Sequence, residues 1–468
     1  MGHFMPEVAT PLPPPVPAEL PAETHYTVQP EIAAVTCGAW DWVLCGTIIT
    51  GLAILTYTGV RAALFQPIVT EIQGHRWLKL GARPAMLWGV MGTVLLILRT
   101  ILWFRYKSFP AATMEDAPSL TIIIPAYNEG AMVLESIESV ARAMYPRDRL
   151  EVIVVDDGSS DDTWMHIQRA AAKYPELIHP IRFPANRGKR AALAVGFEKA
   201  RGEIVVTLDS DSTIDANSLL ELAGPFRNSR VGAVAGKVKV YNRREGLIPR
   251  MLHVRFIVAF DLLRAAESTY GTVYCCPGAL TAYRIAAVRK VLKKWQHQTF
   301  LGAPCTIGED RALTNLMLES GYDTVYQRMA VVHTLAPTSY MKLCKMFLRW
   351  NRSYVREELY FMRIVWRRPL GPRIMAIFDR MITNLRFPVY YATLALLVML
   401  SPEHPWMIVR LLLVMGIISA FCMLYYLRSE RSPEFVYGIM FSYYDLFAMF
   451  WVFPVAVLTA RSRGWLTR

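Results

Sequence analysis

The chain has 468 residues, of which 53% are apolar and 19% charged, with a formal net charge of +13 at pH 7. This composition is unusual for a wholly soluble protein and favours a soluble domain combined with several membrane spans. Basic proteins also bind nucleic acid, but no nucleic-acid motif is visible and the basic residues interleave with apolar stretches. We therefore expect membrane lipid, and no nucleic acid, as a partner. The seven cysteines lack disulfide or zinc spacing, which is typical of a reduced, cytosol-facing protein.

The first 107 residues divide into a tail and two apolar stretches. Residues 1–38 are rich in proline, so we expect a disordered tail. Trp42–Val60 and Ala85–Phe104 are each close to the ~20 residues that cross hydrocarbon. Residues 39–107 are therefore predicted to contain two transmembrane helices.

Residues 117–338 have the pattern of a soluble α/β domain. Short β-branched runs alternate with helical patterns, as in a parallel sheet covered by helices. The strand candidates are SLTIIIPAYN, LEVIVVDDGSS, IHPIRFPANRG, GEIVVTLDSDS and VGAVAGKVKVY. No stretch here is long and apolar enough to span a bilayer, so we expect a domain inserted between membrane segments.

The C-terminal part returns to membrane character. Residues 339–373 are predicted to form amphipathic, basic helices that lie in the membrane interface. Their basic block places the domain on the cytosolic face of the plasma (inner) membrane. Residues 374–468 are expected to form a transmembrane channel region, with Phe387–Leu400, Trp406–Leu427 and Phe435–Ala460 as candidate spans. The last stretch could instead be re-entrant, because the arginines that follow it favour the inside.

Carboxylates follow two of the predicted strands. Asp157 lies where parallel α/β sheets bind ligands, and it could accept hydrogen bonds from a nucleotide. Asp209 and Asp211 are two residues apart in extended chain, so both could face one divalent cation that neutralises a diphosphate. A loop of Asx turns and an ordinary acidic pair at a strand end are the structural alternatives.

Three further motifs carry cations, acids and an aromatic ring. Lys189, at a helix start in NRGKR, could contact a phosphate. Glu309 and Asp310 precede a helical run, where a carboxylate could act as a general base towards an acceptor hydroxyl. Arg349 could pair with phosphate, and Trp350 could lie under a sugar ring. Taken singly, each motif has a structural alternative. Lys189 fits a solvated helix end, Glu309 and Asp310 fit an N-cap, and Arg349 with Trp350 fits an aromatic-basic membrane anchor.

The order and spacing of PAYNEG, VVDDGS, NRGKR, DSD, GED and RW together resemble the processive family 2 glycosyltransferases. These include hyaluronan, chitin and cellulose synthases and the chitooligosaccharide synthases of nodulating bacteria. The resemblance covers residues 117–360 and the C-terminal segment that ends in Trp465-Leu-Thr-Arg468. GEDRALTN, NRGKR, RWNRSYVRE and CCPGALTAYR are most similar to hyaluronan and chitooligosaccharide synthases. The resemblance implies a GT-A-like, nucleotide-sugar-binding α/β domain in a multi-pass membrane protein.

The resemblance also implies roles for the matching residues. It assigns donor binding to Pro125, Tyr127, Glu129, Asp157, Lys189, Asp209, Asp211 and Arg349. Asp209 and Asp211 would hold Mn²⁺ or Mg²⁺, and Asp310 would be the catalytic base. Trp350, Gly278 and Glu309 would bind the acceptor.

Two positions depart from the family pattern. Met346 stands where the Q-x-x-R-W motif has Gln, which removes an amide that could contact donor or acceptor. Leu466 stands where hyaluronan synthases usually have Gly. Both departures bear on the substrate more than on the reaction class.

The sequence predicts inverting transfer from a UDP-sugar to a growing β-linked polysaccharide that crosses the membrane. The product would be hyaluronan, from UDP-GlcNAc and UDP-GlcA, or a GlcNAc polymer. Alternatives are a non-processive family member with a lipid-linked acceptor, and a cellulose or glucan synthase that uses UDP-glucose. A scaffold with a degenerate domain is a further alternative, against which the intact acidic motifs argue. The oligomeric state does not follow from the sequence.

Overall fold

The computed structural model describes residues 76–402 and 405–462, together with scattered positions between 43 and 74. The predicted tail, most of the predicted span Trp42–Val60 and the terminal Trp465–Arg468 lie outside the described residues.

An eight-stranded sheet forms the centre of the soluble domain. In spatial order its strands are β3 (Ile178–Arg182), β2 (Leu150–Asp156), β1 (Leu120–Ala126), β4 (Ile204–Leu208), β7 (Leu280–Arg284), β6 (Val231–Val240), β10 (Asp323–Thr334) and β5 (Ser212–Ile214). All five predicted strands are present, and the predicted α/β domain flanked by apolar helices is confirmed.

The sheet departs from the expected parallel arrangement at two strands. β7 runs antiparallel to β4 and β6, and β5 runs antiparallel to β10. The three residues Asp209–Asp211 connect β4 to β5, but these two strands do not pair: β4 lies between β1 and β7, and β5 pairs with β10 at the edge of the sheet. Asp209 and Asp211 are half-buried in this connection.

Helices cover both faces of the sheet and explain its continuous apolar strands. Every residue of β1 is buried, as expected for a central strand that has neighbours on both sides and helices above and below. The domain helices are α2 (Met132–Arg142), α3 (Thr163–Lys173), α4 (Lys189–Lys199), α5 (Ser218–Ala223), α6 (Leu247–Val258), α7 (Ile285–Gln296) and α8 (Glu309–Glu319). A short hairpin, β8 (Thr299–Phe300) and β9 (Ala303–Pro304), lies between α7 and α8.

Long apolar helices flank the domain. They are α1 (Arg76–Arg105), α10 (Leu370–Leu400) and α11 (Trp406–Glu430), and each contains a stretch able to cross a membrane. Helices α12 (Phe435–Ala448) and α13 (Val452–Leu458) together form a further apolar pair bent by 56°, which is either a broken span or a re-entrant loop. Helix α9 (Tyr340–Ile364) connects the domain to α10 and packs against α8 and α13.

A buried ion cluster joins α11 to the sheet. The ammonium of Lys237, on β6, lies 2.9 Å from Asp261 Oδ2 and 3.1 Å from Glu430 Oε1. Asp261 belongs to the π-helical turn Ala259–Arg264 that continues α6, and it also accepts a hydrogen bond from Tyr326 at 2.9 Å. Opposite charges compensate one another here, so removing one leaves an uncompensated buried charge.

We expect Lys237→Met to lower the free energy of unfolding by about 3–5 kcal/mol, because Asp261 and Glu430 lose their shared cation. Thermal unfolding of the full chain in detergent measures the effect. Lys173→Met removes an exposed ammonium that pairs with Glu138, and it should leave the melting temperature nearly unchanged. Equal shifts in the two variants would contradict a structural role for the cluster.

Candidate active site

The loops after β1 and β2 are hydrogen-bonded to each other. The backbone N–H groups of Glu129 and Gly130 donate to Thr163 Oγ1, at 2.8 and 2.9 Å. Ser210, in the turn after β4, donates to Glu129 Oε1 at 2.9 Å. Glu129 therefore joins three of the predicted motifs at the edge where β1, β2 and β4 end.

Asp157 shapes the loop that carries Lys189. Its two carboxylate oxygens accept the backbone N–H groups of Arg187 and Gly188, at 2.7 and 2.8 Å. Burial raises the pKa of Asp157, and the two N–H donors oppose that rise. Gly158 has φ +75°, and a Cβ there would lie 2.5 Å from the carbonyl carbon of Ala185. The structure thus shows a loop-positioning contact for Asp157, and the predicted nucleotide contact stays a prediction.

Lys189 lies between two acidic side chains. It is the first residue of α4, and its Nζ donates to Asp209 Oδ1 and lies 3.3 Å from Glu309 Oε1. Burial alone would lower the pKa of Lys189, but the charges of Asp209 and Glu309 prevail and raise it above its usual range. A Cβ on Gly278 would lie 3.1 Å from Lys189 Nζ, so glycine at that position leaves room for the ammonium.

Six of the twelve predicted site residues, which are far apart in sequence, line one pocket. Its polar lining contains Lys189, Asp209, Glu309 and Asp310, and Pro125 and Gly278 also lie in its wall. Its apolar floor is formed by Leu193, Phe197, Tyr283, Trp295 and Leu313. Trp295 Nε1 donates to the backbone oxygen of Glu309 at 2.9 Å, which ties the floor to the start of α8.

Asp310 and Glu309 are driven to different pKa values. Burial and the negative charge of Glu309 raise the pKa of Asp310. Burial would also raise the pKa of Glu309, but the positive charge of Lys189 prevails and lowers it. Asp310 Oδ1 accepts the N–H of Arg311 at 2.8 Å, and the Cys275 thiol lies 3.7 Å from Oδ2. Of the two acids, Asp310 is the one better suited to accept a proton near neutral pH.

Asp209 lines the pocket, and Asp211 lies two residues further along the chain, outside the lining. The Asp209 side chain is 29% exposed, and Asp211 is half-buried and accepts the Ser212 hydroxyl at 3.1 Å. Within the part of the chain that the structure describes, no three His, Cys, Asp or Glu side chains form a metal-binding group. Mg²⁺ in nucleotide sites takes one or two carboxylates and completes its shell with phosphates and water. Two aspartates fit that requirement, and they fit Mn²⁺ equally.

Arg349 and Trp350 lie on α9, outside the lining of the pocket. The positive charge of Arg349 contributes, after that of Lys189, to lowering the pKa of Glu309. Trp350 is 38% exposed, and its ring centre lies 5.4 Å from that of Phe347. Met346 is buried in an apolar cluster with Phe347, where the amide of a Gln would need polar partners. Tyr127 is half-buried at the end of β1 and lies outside the pocket lining.

Arg356 and Glu357, which were not predicted from the sequence, hold α9 to α8 and to the loop before it. Arg356 is 4% exposed and donates to the backbone oxygens of Ile307, at 2.6 Å, and Ala460, at 3.3 Å. Glu357 accepts Asn315 Nδ2 at 2.9 Å. Arg356 follows Arg349 by seven residues, so both lie on one helical face, and that spacing was the available signal.

Comparisons with known proteins place this domain in a family. A profile described as "Glycosyl transferase family 2" matches residues 121–292. An N-acetylglucosaminyltransferase of Azorhizobium caulinodans is 35% identical over 248 residues, which cover 53% of this chain and 62% of that protein. A hyaluronan synthase of Streptococcus pyogenes is 33% identical over 295 residues, covering 62% of this chain and 69% of the synthase. An N-acetylglucosaminyltransferase of a Rhizobium species is 30% identical over 364 residues, which cover 75% of this chain and 77% of that protein.

Among solved structures, a mannosyltransferase of Pyrobaculum calidifontis in complex with GDP-Man and Mn²⁺ aligns with a TM-score of 0.49 and 20% identity. The alignment covers 80% of this chain and 98% of that chain.

We expect Gly308→Ala to impair both stability and turnover. Gly308 precedes α8 with φ +79°, and a Cβ there would collide with the Ser353 hydroxyl on α9. Gly321 has φ +86° but open space around it, so Gly321→Ala should cost only the backbone strain of about 1–2 kcal/mol. Adding Ser353→Gly to Gly308→Ala should recover part of the lost turnover. Thermal unfolding measures the loss of stability, and product formation measures the loss of turnover. Equal losses in Gly308→Ala and Gly321→Ala would contradict the collision with Ser353.

We expect Glu309→Gln to move the acid limb of the pH–rate profile to lower pH. The negative charge of Glu309 raises the pKa of Asp310, so removing it makes Asp310 lose its proton at a lower pH. The measurement is kcat/KM for donor turnover as a function of pH. Glu319→Gln, at the other end of α8, should leave the acid limb at its wild-type pH. An acid limb that moves to higher pH in Glu309→Gln would refute the assignment of that limb to Asp310.

Proposed function

The chain belongs to the family 2 glycosyltransferases, and we propose that it is a processive, inverting member that builds a β-linked polysaccharide from a UDP-sugar. The observation that carries the proposal is the shared pocket of Lys189, Asp209, Glu309 and Asp310. That pocket combines an ammonium for a diphosphate with a carboxylate of raised pKa, and the charge of Arg349, on α9, also acts on Glu309. The donor would be UDP-GlcNAc with UDP-GlcA, or UDP-GlcNAc alone.

The cations of the pocket bind and orient the donor diphosphate. Lys189 is held in its charged form by Asp209 and Glu309, so it is ready to pair with phosphate. Arg349 adds a second cation from α9. Asp211 and Asp209 would hold Mn²⁺ or Mg²⁺, which when bound supplies charge neutralisation for the departing UDP. Pro125, Tyr127, Glu129 and Asp157 would surround the uridine at the ends of β1 and β2.

Asp310 is the proposed general base. Its carboxylate takes the proton from an acceptor hydroxyl while that oxygen attacks C1 of the donor sugar from the face opposite UDP. The new C1–O bond to the acceptor forms as the C1–O bond to the β-phosphate breaks, and the electron pair leaves with UDP. One displacement inverts an α-linked donor into a β-linked product. Glu309, Gly278 and Trp350 would border the acceptor.

The position of Trp350 supports polymerisation rather than a single transfer. Trp350 is on α9, the helix that leads directly into α10 and packs against α13. An acceptor lying on Trp350 would therefore sit beside apolar helices that are long enough to cross a membrane. We propose that the growing chain leaves through these helices, with the catalytic domain in the cytosol at the plasma (inner) membrane.

We expect Asp310→Asn to reduce donor turnover by about 10²–10⁴-fold, the usual contribution of a general base. Purified protein in vesicles receives labelled UDP-GlcNAc, UDP-GlcA, UDP-Glc and UDP-Gal, singly and in pairs, with Mn²⁺ or Mg²⁺. UDP and high-molecular-weight product are both measured. Asp148→Asn, an exposed aspartate that is 79% accessible, is the matched control and should retain full turnover.

The products distinguish the alternatives. Polymer that forms from one donor or one pair, and disappears in Asp310→Asn, would support the proposal. Transfer of one sugar without polymer would indicate a non-processive enzyme, and no UDP release would refute a catalytic role. In sealed vesicles, polymer found only on the donor side would refute translocation.

A further inference from the structure

A buried arginine lies in one of the long apolar helices, outside the lining of the pocket. Arg380 is on α10, within the stretch that is long and apolar enough to cross a membrane, and it is only 5% exposed. Its Nε donates to Glu358 Oε2, on α9, at 3.0 Å, and its Nη2 donates to the Tyr354 hydroxyl at 2.8 Å. Ionisable residues in such helices are rare and characteristically serve the function of the protein.

The Arg380 guanidinium lies close to two tyrosine rings that belong to different parts of the chain. Its central carbon is 4.5 Å from the ring centre of Tyr274 and 5.5 Å from that of Tyr354. Tyr274 precedes β7 and Tyr354 is on α9. A planar guanidinium is well suited to contact aromatic faces at these distances. Arg380 therefore joins both segments to α10.

Each of the two tyrosines adjoins a residue that contacts Asp310. Cys275 follows Tyr274, and its thiol donates to Asp310 Oδ2 at 3.7 Å. The Tyr354 ring centre lies 5.2 Å from the guanidinium carbon of Arg311, whose backbone N–H donates to Asp310 Oδ1 at 2.8 Å. Both oxygens of the Asp310 carboxylate thus have a partner that adjoins one of the rings beside Arg380.

The segment that carries Cys275 is also bonded to α8. The N–H of Cys276 donates to Thr314 Oγ1 at 3.1 Å, and that hydroxyl donates to the backbone oxygen of Asp310 at 2.8 Å. A shorter side chain in place of Arg380 would leave space beside the two rings, and groups around such a space relax only in part. A shift of either ring would displace a partner of the carboxylate.

We propose that Arg380 is a positioning residue for Asp310: through Tyr274 and Tyr354 it fixes the two partners of the carboxylate, so that α10 must be joined to α9 for the base to be oriented. This inference rests on the proposed function, in which Asp310 is the general base. Misplacement of a reacting group by about 1 Å can cost on the order of 10²-fold in rate. The proposal therefore predicts a loss of turnover rather than a loss of donor binding.

A purely structural anchor is the alternative. Removing one partner of a buried ion pair destabilises a protein in either case, because the other charge is left uncompensated. Loss of stability alone consequently does not separate the two roles. The pocket that contains Lys189 and Asp209 has neither Tyr274 nor Tyr354 in its lining, so donor binding provides the internal reference.

The test measures initial UDP release by the full chain in vesicles supplied with UDP-GlcNAc and UDP-GlcA, with Mn²⁺ or Mg²⁺. In Arg380→Gln we expect kcat to fall about tenfold or more while the donor KM stays within about twofold of wild type. Arg380→Lys keeps the charge and should recover part of kcat. Arg373→Gln, on the same helix, removes a guanidinium that donates to the backbone oxygen of Arg368, and it should match wild type.

Combination with the base variant gives a readout that a structural role would not produce. Asp310→Asn leaves no base to orient, so adding Arg380→Gln should lower its residual kcat by no more than about twofold. The same fold loss in both backgrounds would overturn the inference. If Arg380→Gln does not fold, Arg380→Met/Glu358→Met removes both charges together and leaves no uncompensated ion. That variant should show the same loss of kcat, and wild-type kcat in it would contradict the inference.

The outcomes separate this inference from the proposed function. Wild-type turnover in Asp310→Asn would overturn the general base and with it the proposed mechanism. Loss of turnover in Asp310→Asn, together with wild-type kcat in folded Arg380→Gln, would overturn the positioning role alone. A donor KM that rises as much as kcat falls would also overturn it, because Arg380 would then act on donor binding.

Discussion

The contact of Lys189 with two acids is the interaction on which the rest of the site depends. One acid, Asp209, comes from the turn after β4, and the other, Glu309, begins α8, so the ammonium joins parts of the chain a hundred residues apart. It holds Glu309 ionised, and the ionised Glu309 in turn raises the pKa of Asp310. A single cation thus lowers the pKa of Glu309 and brings the turn after β4 and the start of α8 together in one pocket.

The loop before α8 is connected through α9 to the apolar helices that follow the domain. The first residues of α8 contact α9 through Gly308 and Ser353, and Arg356 links that loop to Ala460 at the end of the bent apolar pair. Helix α9 therefore contacts both the acids and the helices that follow it. A change in the position of α9 would therefore alter its contacts with the loop before α8 and with the end of the bent apolar pair together.

The sequence predicts the strands that have unbroken β-branched runs and fails where polar residues interrupt the pattern. β10 was missed because Gln327 lies in its middle, fully buried, bonded to the backbone of Phe109 at 2.8 and 3.0 Å. A register shift between Tyr326 and Val331 further disrupts the alternation. The motif acids could be identified because each follows a strand that the pattern predicts. The contacts of Asp157 and Arg356 could not, because their partners are fixed only by tertiary packing.

Gly158 and Ala185 approach each other closely, so the loops after β2 and β3 are packed together where a donor is proposed to bind. The loops after β1, β2 and β3 are joined by the protein's own hydrogen bonds, which backbone N–H groups donate to Thr163 Oγ1 and to the Asp157 carboxylate. Ordering such segments upon binding would otherwise consume conformational entropy, at roughly 1–2 kcal/mol for each residue fixed. Because this entropy is already lost when the protein folds, the affinity for a nucleotide depends mainly on the contacts that the nucleotide itself makes. Donor binding should consequently be fast and should leave the backbone of these loops almost unmoved.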